Sequence, residues 1–308
     1  MQKKRIYSVF YLPSPIISVF SRNPMRQRER LKPFRKLYIL GLVILFSSCS
    51  EKITLDLGST FTRLVVDGSI TTDTLSHVIK LTRTTDYYYD KPAPGVQGAT
   101  VSITDGISYF LLKEDSLNPG VYRTDSTVYG ISGRTYTLNI VLKEPINGNT
   151  DYQASCFMPD VNPIDSIGII YREQWKIWEI DCWAWDPPSV NYYMFNIYKN
   201  GVLMTDTITK VGITDDRLFN GSYTNGAAVG FLRKDYPREN VFPGDVITVQ
   251  IAGITREYLY FIYDVQIEAG YKNPLISGPP ANIKGNISKG AIGFFAAYST
   301  KYASTTVL

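Results

Sequence analysis

The 308 residues include a single histidine, His77, so any Ser-His-Asp or Cys-His arrangement would have to be built on it. A zinc site of several imidazoles is excluded by the same count. His77 stands in the alternating run His77-Val78-Ile79-Lys80-Leu81, where a surface or edge-strand histidine is the simpler reading. Cys156 and Cys182 lie in Ala154-Ser155-Cys156-Phe157 and Ile180-Asp181-Cys182-Trp183. There a thiol either packs as a small hydrophobe or, in an oxidising compartment, pairs with the other. Asp215-Asp216 and Tyr87-Tyr88-Tyr89-Asp90 lack the Asp-x-Asp-x-Asp spacing that gathers about six to eight oxygens around calcium, and read better as turns. Gly-x-x-x-x-Gly-Lys-Ser/Thr and Gly-x-Ser-x-Gly are absent. No catalytic, cofactor or metal residue is nominated, and no enzyme is expected.

Binding chemistry has better candidates. All four tryptophans fall in one run, Trp175, Trp178, Trp183 and Trp185, and an indole offers a flat apolar face and a donor to a carbohydrate or peptide. Strand alternation puts Trp178 with Ile180, Cys182 and Ala184 on a core face, and Trp175, Trp183 and Trp185 on the other; core packing is the favoured role for most of them. Exposed aromatics also supply binding area at low entropic cost. Tyr87, Tyr88 and Tyr89, and Phe219, Tyr223 and Phe231 in the long segment 215–236, are the candidate partner-binding residues.

These side chains need elements to hold them. Tyrosine (23) and phenylalanine (14) are abundant, which suits pleated, half-buried strands. Short β-branched or alternating runs recur at 64–66, 77–81, 99–104, 107–112, 120–123, 135–142 and 152–157, separated by turn signals such as Asp105-Gly106 and Pro119-Gly120. This spacing predicts a β-sandwich over 53–158. After the linker Met158-Pro159-Asp160-Val161-Asn162-Pro163, a second β-rich domain is predicted over 159–308, with strands at 166–171, 175–185, 192–198, 202–208, 246–251 and 291–298. Asn200-Gly201 marks a hairpin. One helix is predicted over 255–269, with Leu259, Ile262, Val265, Gln266 and Ala269 at helical spacing.

The first 48 residues differ in kind. They hold ten of the 32 Lys and Arg and one of the 28 acidic residues, Glu29, leaving 22 basic against 27 acidic side chains, a balance of −5 rather than +4. That balance gives no footprint for nucleic acid and no basic stripe for phospholipid. Residues 25–36 form a basic region, Leu37 to Phe46 an apolar one, and Ser47-Ser48 precede Cys49, the layout of an export signal. A spanning helix needs about 20 apolar residues, so residues 1–48 read as a cleaved leader. Pro13 and Pro15 interrupt residues 6–20, which favours Met25 as the true start. Phe46-Ser47-Ser48-Cys49 resembles the bacterial lipobox, which implies lipid on the sulfur and amino group of Cys49.

Several pieces, in order, resemble the Bacteroidetes lipoprotein family known as domain of unknown function 4249. They are Leu64-Val65-Val66-Asp67-Gly68, residues 98–103, Gly120-Val121-Tyr122, Gly133-Arg134-Thr135-Tyr136-Thr137-Leu138, Asn191-Tyr192-Tyr193, Pro243-Gly244-Asp245-Val246, Pro280-Ala281-Asn282-Ile283 and residues 290–295. The resemblance implies an outer-membrane lipoprotein that works beside a TonB-dependent receptor, without an established activity; no cofactor is expected. The first segment is also similar to transthyretin-like and carboxypeptidase-regulatory-like sandwiches; likeness of fold does not fix function. Asp followed by Ser or Thr and then an apolar residue or Thr recurs at Thr74, Ser116, Ser126, Ser166 and Thr207, against about one or two chance matches. It resembles an O-glycosylation acceptor of exported Bacteroidetes proteins; Asp-Ser/Thr pairs also populate turns. The expected function is binding or assembly at the cell surface as a receptor accessory, the alternative a stand-alone glycan- or protein-binding adhesin.

Overall fold

Period-two alternation of buried and exposed residues runs through most strands, as in β7 (Asn149–Phe157), where Tyr152, Ala154 and Cys156 are buried and their neighbours exposed. The computed structural model describes residues 62–85, 92–270 and 283–308. The first seven strands are β1 (Leu64–Thr71), β2 (Val78–Arg83), β3 (Thr100–Thr104), β4 (Tyr109–Glu114), β5 (Val121–Arg123), β6 (Thr135–Ile146) and β7. There follow β8 (Ser166–Arg172), β9 (Ile177–Trp183), β10 (Tyr192–Lys199), β11 (Val202–Leu203), β12 (Gly212–Asp215), β13 (Ala227–Arg233), β14 (Val246–Gly253), helix α1 (Arg256–Ala269) and β15 (Ile292–Thr306).

The fold is mainly β and sandwich-like, with its helix near the C-terminus. One twelve-stranded sheet runs β11-β10-β14-β15-β1-β2-β5-β4-β3-β6-β7, with β12 also on β10; a second sheet runs β13-β9-β8. A first core gathers Leu64, Ile79, Ile103, Tyr136, Leu138 and Phe295 among others, and a second gathers Ile180, Phe195, Ile197, Leu232, Ile247 and Val249. β15 serves both. Its first half pairs parallel with β1 (Val66↔Gly293), its second half antiparallel with β14 (Gln250↔Tyr302). Phe294 to Ala297 sit in the first core while Ala303 packs on the second.

Helix α1 starts where Thr255 Oγ1 accepts the Tyr258 N–H at 3.3 Å, an N-cap. It covers the opposite face of the sheet from β13-β9-β8, packing Leu259 and Ile262 near Met194 and Ala252. The end of the large sheet formed by β10 and β14 is thus buried on both faces.

The hairpins follow their sequence signals. Asn200 and Gly201 take φ of 51 and 78, and Asn147 and Gly148 take 48 and 75, the left-handed pairs of a type I′ turn. The expected strand at 202–208 shortens to Val202–Leu203, and a 3₁₀ turn forms at Ile208–Lys210. Thr205 explains the break: its Oγ1 accepts the Ile197 N–H at 3.2 Å and donates to Asn196 at 2.9 Å, so a side chain replaces the ladder. Conversely, the segment 215–236, read as a long loop, contains β13.

Candidate functional site

The second core, between the large sheet and β13-β9-β8, is not filled throughout. β10 turns Tyr193, Phe195 and Ile197 to its inner face, and β13 crosses over them. Two glycines permit the crossing. A Cβ on Gly212 would lie 2.6 Å from the Val229 carbonyl oxygen, and one on Gly230 would lie 2.7 Å from the Ile197 side chain. Beside this approach the sheets enclose a cavity of about 770 Å³, with Phe195, Met204, Ile213, Phe219, Val229 and Leu232 in its wall. Trp185 and Leu218 stand at its rim, 55% and 94% exposed. Its size and apolar lining are those of a small-molecule site.

The polar groups of the wall differ sharply in how they are satisfied. Thr224 Oγ1 donates to the Cys182 carbonyl at 2.8 Å and accepts the Ala184 N–H at 3.0 Å. Glu239 takes Lys210 Nζ at 2.9 Å and the Arg233 N–H at 3.0 Å. Asp186, only 3% exposed, accepts the Tyr193 hydroxyl on Oδ1 at 2.5 Å, while its Oδ2 is buried without a partner. Burial raises the Asp186 pKa and the charge of Asp216 adds to the rise; the Tyr193 bond and the Gly221 amide oppose it. Burial likewise pushes up the Tyr193 phenol, and the Asp186 bond and charge push it further. Cys182, also in the wall, has its thiol pushed up to about 12 by burial and the charge of Asp165, which makes it a poor nucleophile.

Chain geometry fixes Asp186. A lone bridge pairs Trp185 with Tyr223, the Asp186 N–H donates to the Ser222 carbonyl at 3.0 Å, and Pro187-Pro188 then prevents the strand from continuing. Asp216 secures the facing turn, taking the Asn191 N–H on Oδ2 at 2.6 Å and the Phe219 N–H on its carbonyl at 2.8 Å. The turn expected at Asp215-Asp216 is present, with Asp215 paired to Arg217 at 2.8 Å.

Phe219 lines the cavity, Tyr223 holds its rim strand, and Phe231 belongs to the β13 wall. The pairing of Phe231 with Glu179 sets its ring on the outer face, 54% exposed. The expectation that most tryptophans pack in the core needs correction. Trp178 packs against the core and Trp183 lies over Gly168 and Gly226, but Trp175 is 61% exposed in the β8–β9 turn and Trp185 stands at the cavity rim.

His77 is also placed differently from its surface reading. It precedes β2 and is 2% exposed; Nδ1 accepts the Thr71 N–H at 3.4 Å and Nε2 donates to the Val128 carbonyl at 3.2 Å. Burial lowers its pKa, so it is a neutral brace between two loops. Cys156 and Cys182 are free and lie in different cores. Thr74, Ser116, Ser126, Ser166 and Thr207 are all exposed. At Asp115 and Asp125 the carboxylate makes the turn bond, to the Leu117 and Thr127 N–H at 3.0 and 3.2 Å. Cys49 and Tyr87, Tyr88 and Tyr89 lie outside the described residues.

Sequence reasoning missed Asp186 and Tyr193. Asp186-Pro187-Pro188 reads as a strand terminator, and the available clue was an acid at the end of an apolar, tryptophan-rich strand, where a solvated turn was the default.

No curated protein matches the chain. A family model described as Domain of unknown function (DUF4249) matches residues 50–304, a span that includes both cores and every wall of the cavity, and the chain belongs to that family.

Proposed function

We propose that this chain is a binding protein of the bacterial envelope, tethered to the outer membrane through lipid on Cys49, whose second core takes a small, largely apolar ligand. The carrying observation is the cavity of about 770 Å³ in the second core, with the unpartnered carboxylate of Asp186 in its wall. A well-packed interior has few voids larger than a water, and the apolar walls of a space this size offer dispersion contacts to a ligand that fits it. Nothing in the wall supplies an activated nucleophile: the Cys182 thiol is held protonated and His77 lies in the other core's loops. Binding without turnover is the chemistry these groups support. The family likeness favours work beside a TonB-dependent receptor, to which a ligand-holding lipoprotein would be an accessory.

Ala227→Phe tests the reading. Ala227 lines the cavity and pairs with Cys182 on the inner face, so a ring there fills space without touching the outer surface. The lipoprotein in nanodiscs should take up an apolar reporter dye at a saturable site, and the variant should lose that uptake while unfolding at a similar temperature. Equal uptake by both proteins would refute the cavity as the binding site. Co-purification of a TonB-dependent receptor after gentle detergent extraction would support the accessory role; specific binding to a purified glycan with no membrane partner would favour a stand-alone adhesin.

A further inference from the structure

We infer that the cavity's ligand carries a cationic, hydrogen-bond-donating head, an aliphatic ammonium on an apolar body, and that this head seats on Asp186 Oδ2. The inference rests on the cavity reading above and specifies its ligand class. Three observations carry it. Oδ2 is buried with no partner in hydrogen-bonding geometry, although the Gly221 amide bears on the carboxyl, while Tyr193 already occupies Oδ1 at 2.5 Å. Buried acceptors in folded proteins are otherwise almost always partnered.

The second observation is charge. Asp216 is 1% exposed, and its charge bears on Asp186. The neighbouring Arg217 is 85% exposed and turned to Asp215. Among the described residues no cation pairs with either Asp186, in the cavity wall, or Asp216, so a head that binds Asp186 meets no counter-ion already in place. The third is contrast: Glu239, on the same wall, is engaged by Lys210 and the Arg233 N–H, so it does not compete for the head. A hydroxyl head would satisfy Oδ2 but leave the charge; a carboxylate head would add to it. An ammonium answers both, and a charge-assisted bond out of water is the strong kind.

The test uses the full lipidated chain in nanodiscs and three water-soluble probes of one shape: 4-phenylbutylamine, 4-phenylbutanol and 4-phenylbutyrate. Calorimetric titration, with empty nanodiscs subtracted, should show the amine binding at least tenfold tighter than the alcohol, and the carboxylate weakest. Asp186→Asn, close in shape, should bring amine and alcohol to within about twofold of each other. The amine-to-alcohol ratio on the unaltered chain decides the matter even if the variant folds poorly. Equal binding of amine and alcohol, or preference for the carboxylate, would overturn the ammonium assignment and leave the cavity reading standing. Failure of all three probes to bind above empty nanodiscs would overturn both.

Discussion

Replacing Gly293 by alanine tests the seam on which both cores depend. Gly293 faces Val66 in the parallel pairing of β1 with β15, with φ of +100. A Cβ there would lie 1.9 Å from the Val66 carbonyl oxygen and 2.9 Å from its carbon. Both are backbone atoms, so no rotamer change relieves the clash and the strands must part. A positive φ costs an L-residue about 1–2 kcal/mol, and parting the strands forfeits one or two ladder bonds at about 1 kcal/mol each. The expected loss, about 3 kcal/mol, is a large share of the roughly 5–15 kcal/mol that stabilises a folded protein. At about 2–4 °C per kcal/mol for a chain of this size, the midpoint should fall by about 10 °C. Gly290→Ala is the control: φ is +72 but nothing lies within 4 Å of the added carbon, so only the conformational cost of about 1–2 kcal/mol applies. Thermal and urea unfolding of the two variants, followed by circular dichroism, measures the difference. Equal losses would refute the reasoning, because the approach to Val66 would then contribute nothing.

Burial holds the His77 imidazole below its ordinary 6.5, so the unfolded chain takes up the proton first: stability is full above that value and falls as pH drops from it to the lower folded value. His77→Gln should flatten this limb in urea titrations, and an unchanged limb would assign it to other groups. Asp186 has the opposite sign. Its folded pKa lies above the ordinary 3.8, so its contribution is best at acid pH and is lost as pH rises from there through the folded value. Asp186→Asn should gain on the unaltered protein over that rise, and a constant difference between the two would count against a desolvated carboxylate. Cys49→Ala should abolish labelling by a fatty-acid analogue, whereas retained labelling would place the lipid elsewhere.

The strands of the first core were legible because their residues alternate with period two and their turns carry Asp105-Gly106 or Pro119-Gly120. Helix α1 was legible to within a residue, from its apolar spacing and the Thr255 cap. β12 and β13 were not. Gly212-Ile213-Thr214-Asp215 is short, and Ala227-Ala228-Val229-Gly230 is rich in small residues, which read as loop from sequence alone. Those small residues answer to a tertiary demand, the close crossing of β13 over β10 and β12, that no local pattern expresses. His77 shows the same limit: a buried and a surface histidine occupy identical alternating sequence, and only the Thr71 and Val128 backbone groups, brought in from other elements, distinguish them.

The cavity's two carboxylates make the same point about function. Glu239 and Asp186 are both buried, at 6% and 3% exposure, yet one is enclosed by a lysine and a backbone N–H and the other keeps an idle oxygen. For Glu239, folding alone explains the residue: it ties the turn after β13 to the turn at Lys210. For Asp186 it does not. Burying a carboxylate that lacks a counter-ion costs the fold, and Tyr193 could as well donate to an asparagine. A residue that burdens the fold in this way is accounted for by something that arrives after folding, and the open space it lines is the cavity that Phe195, Phe219 and Trp185 surround.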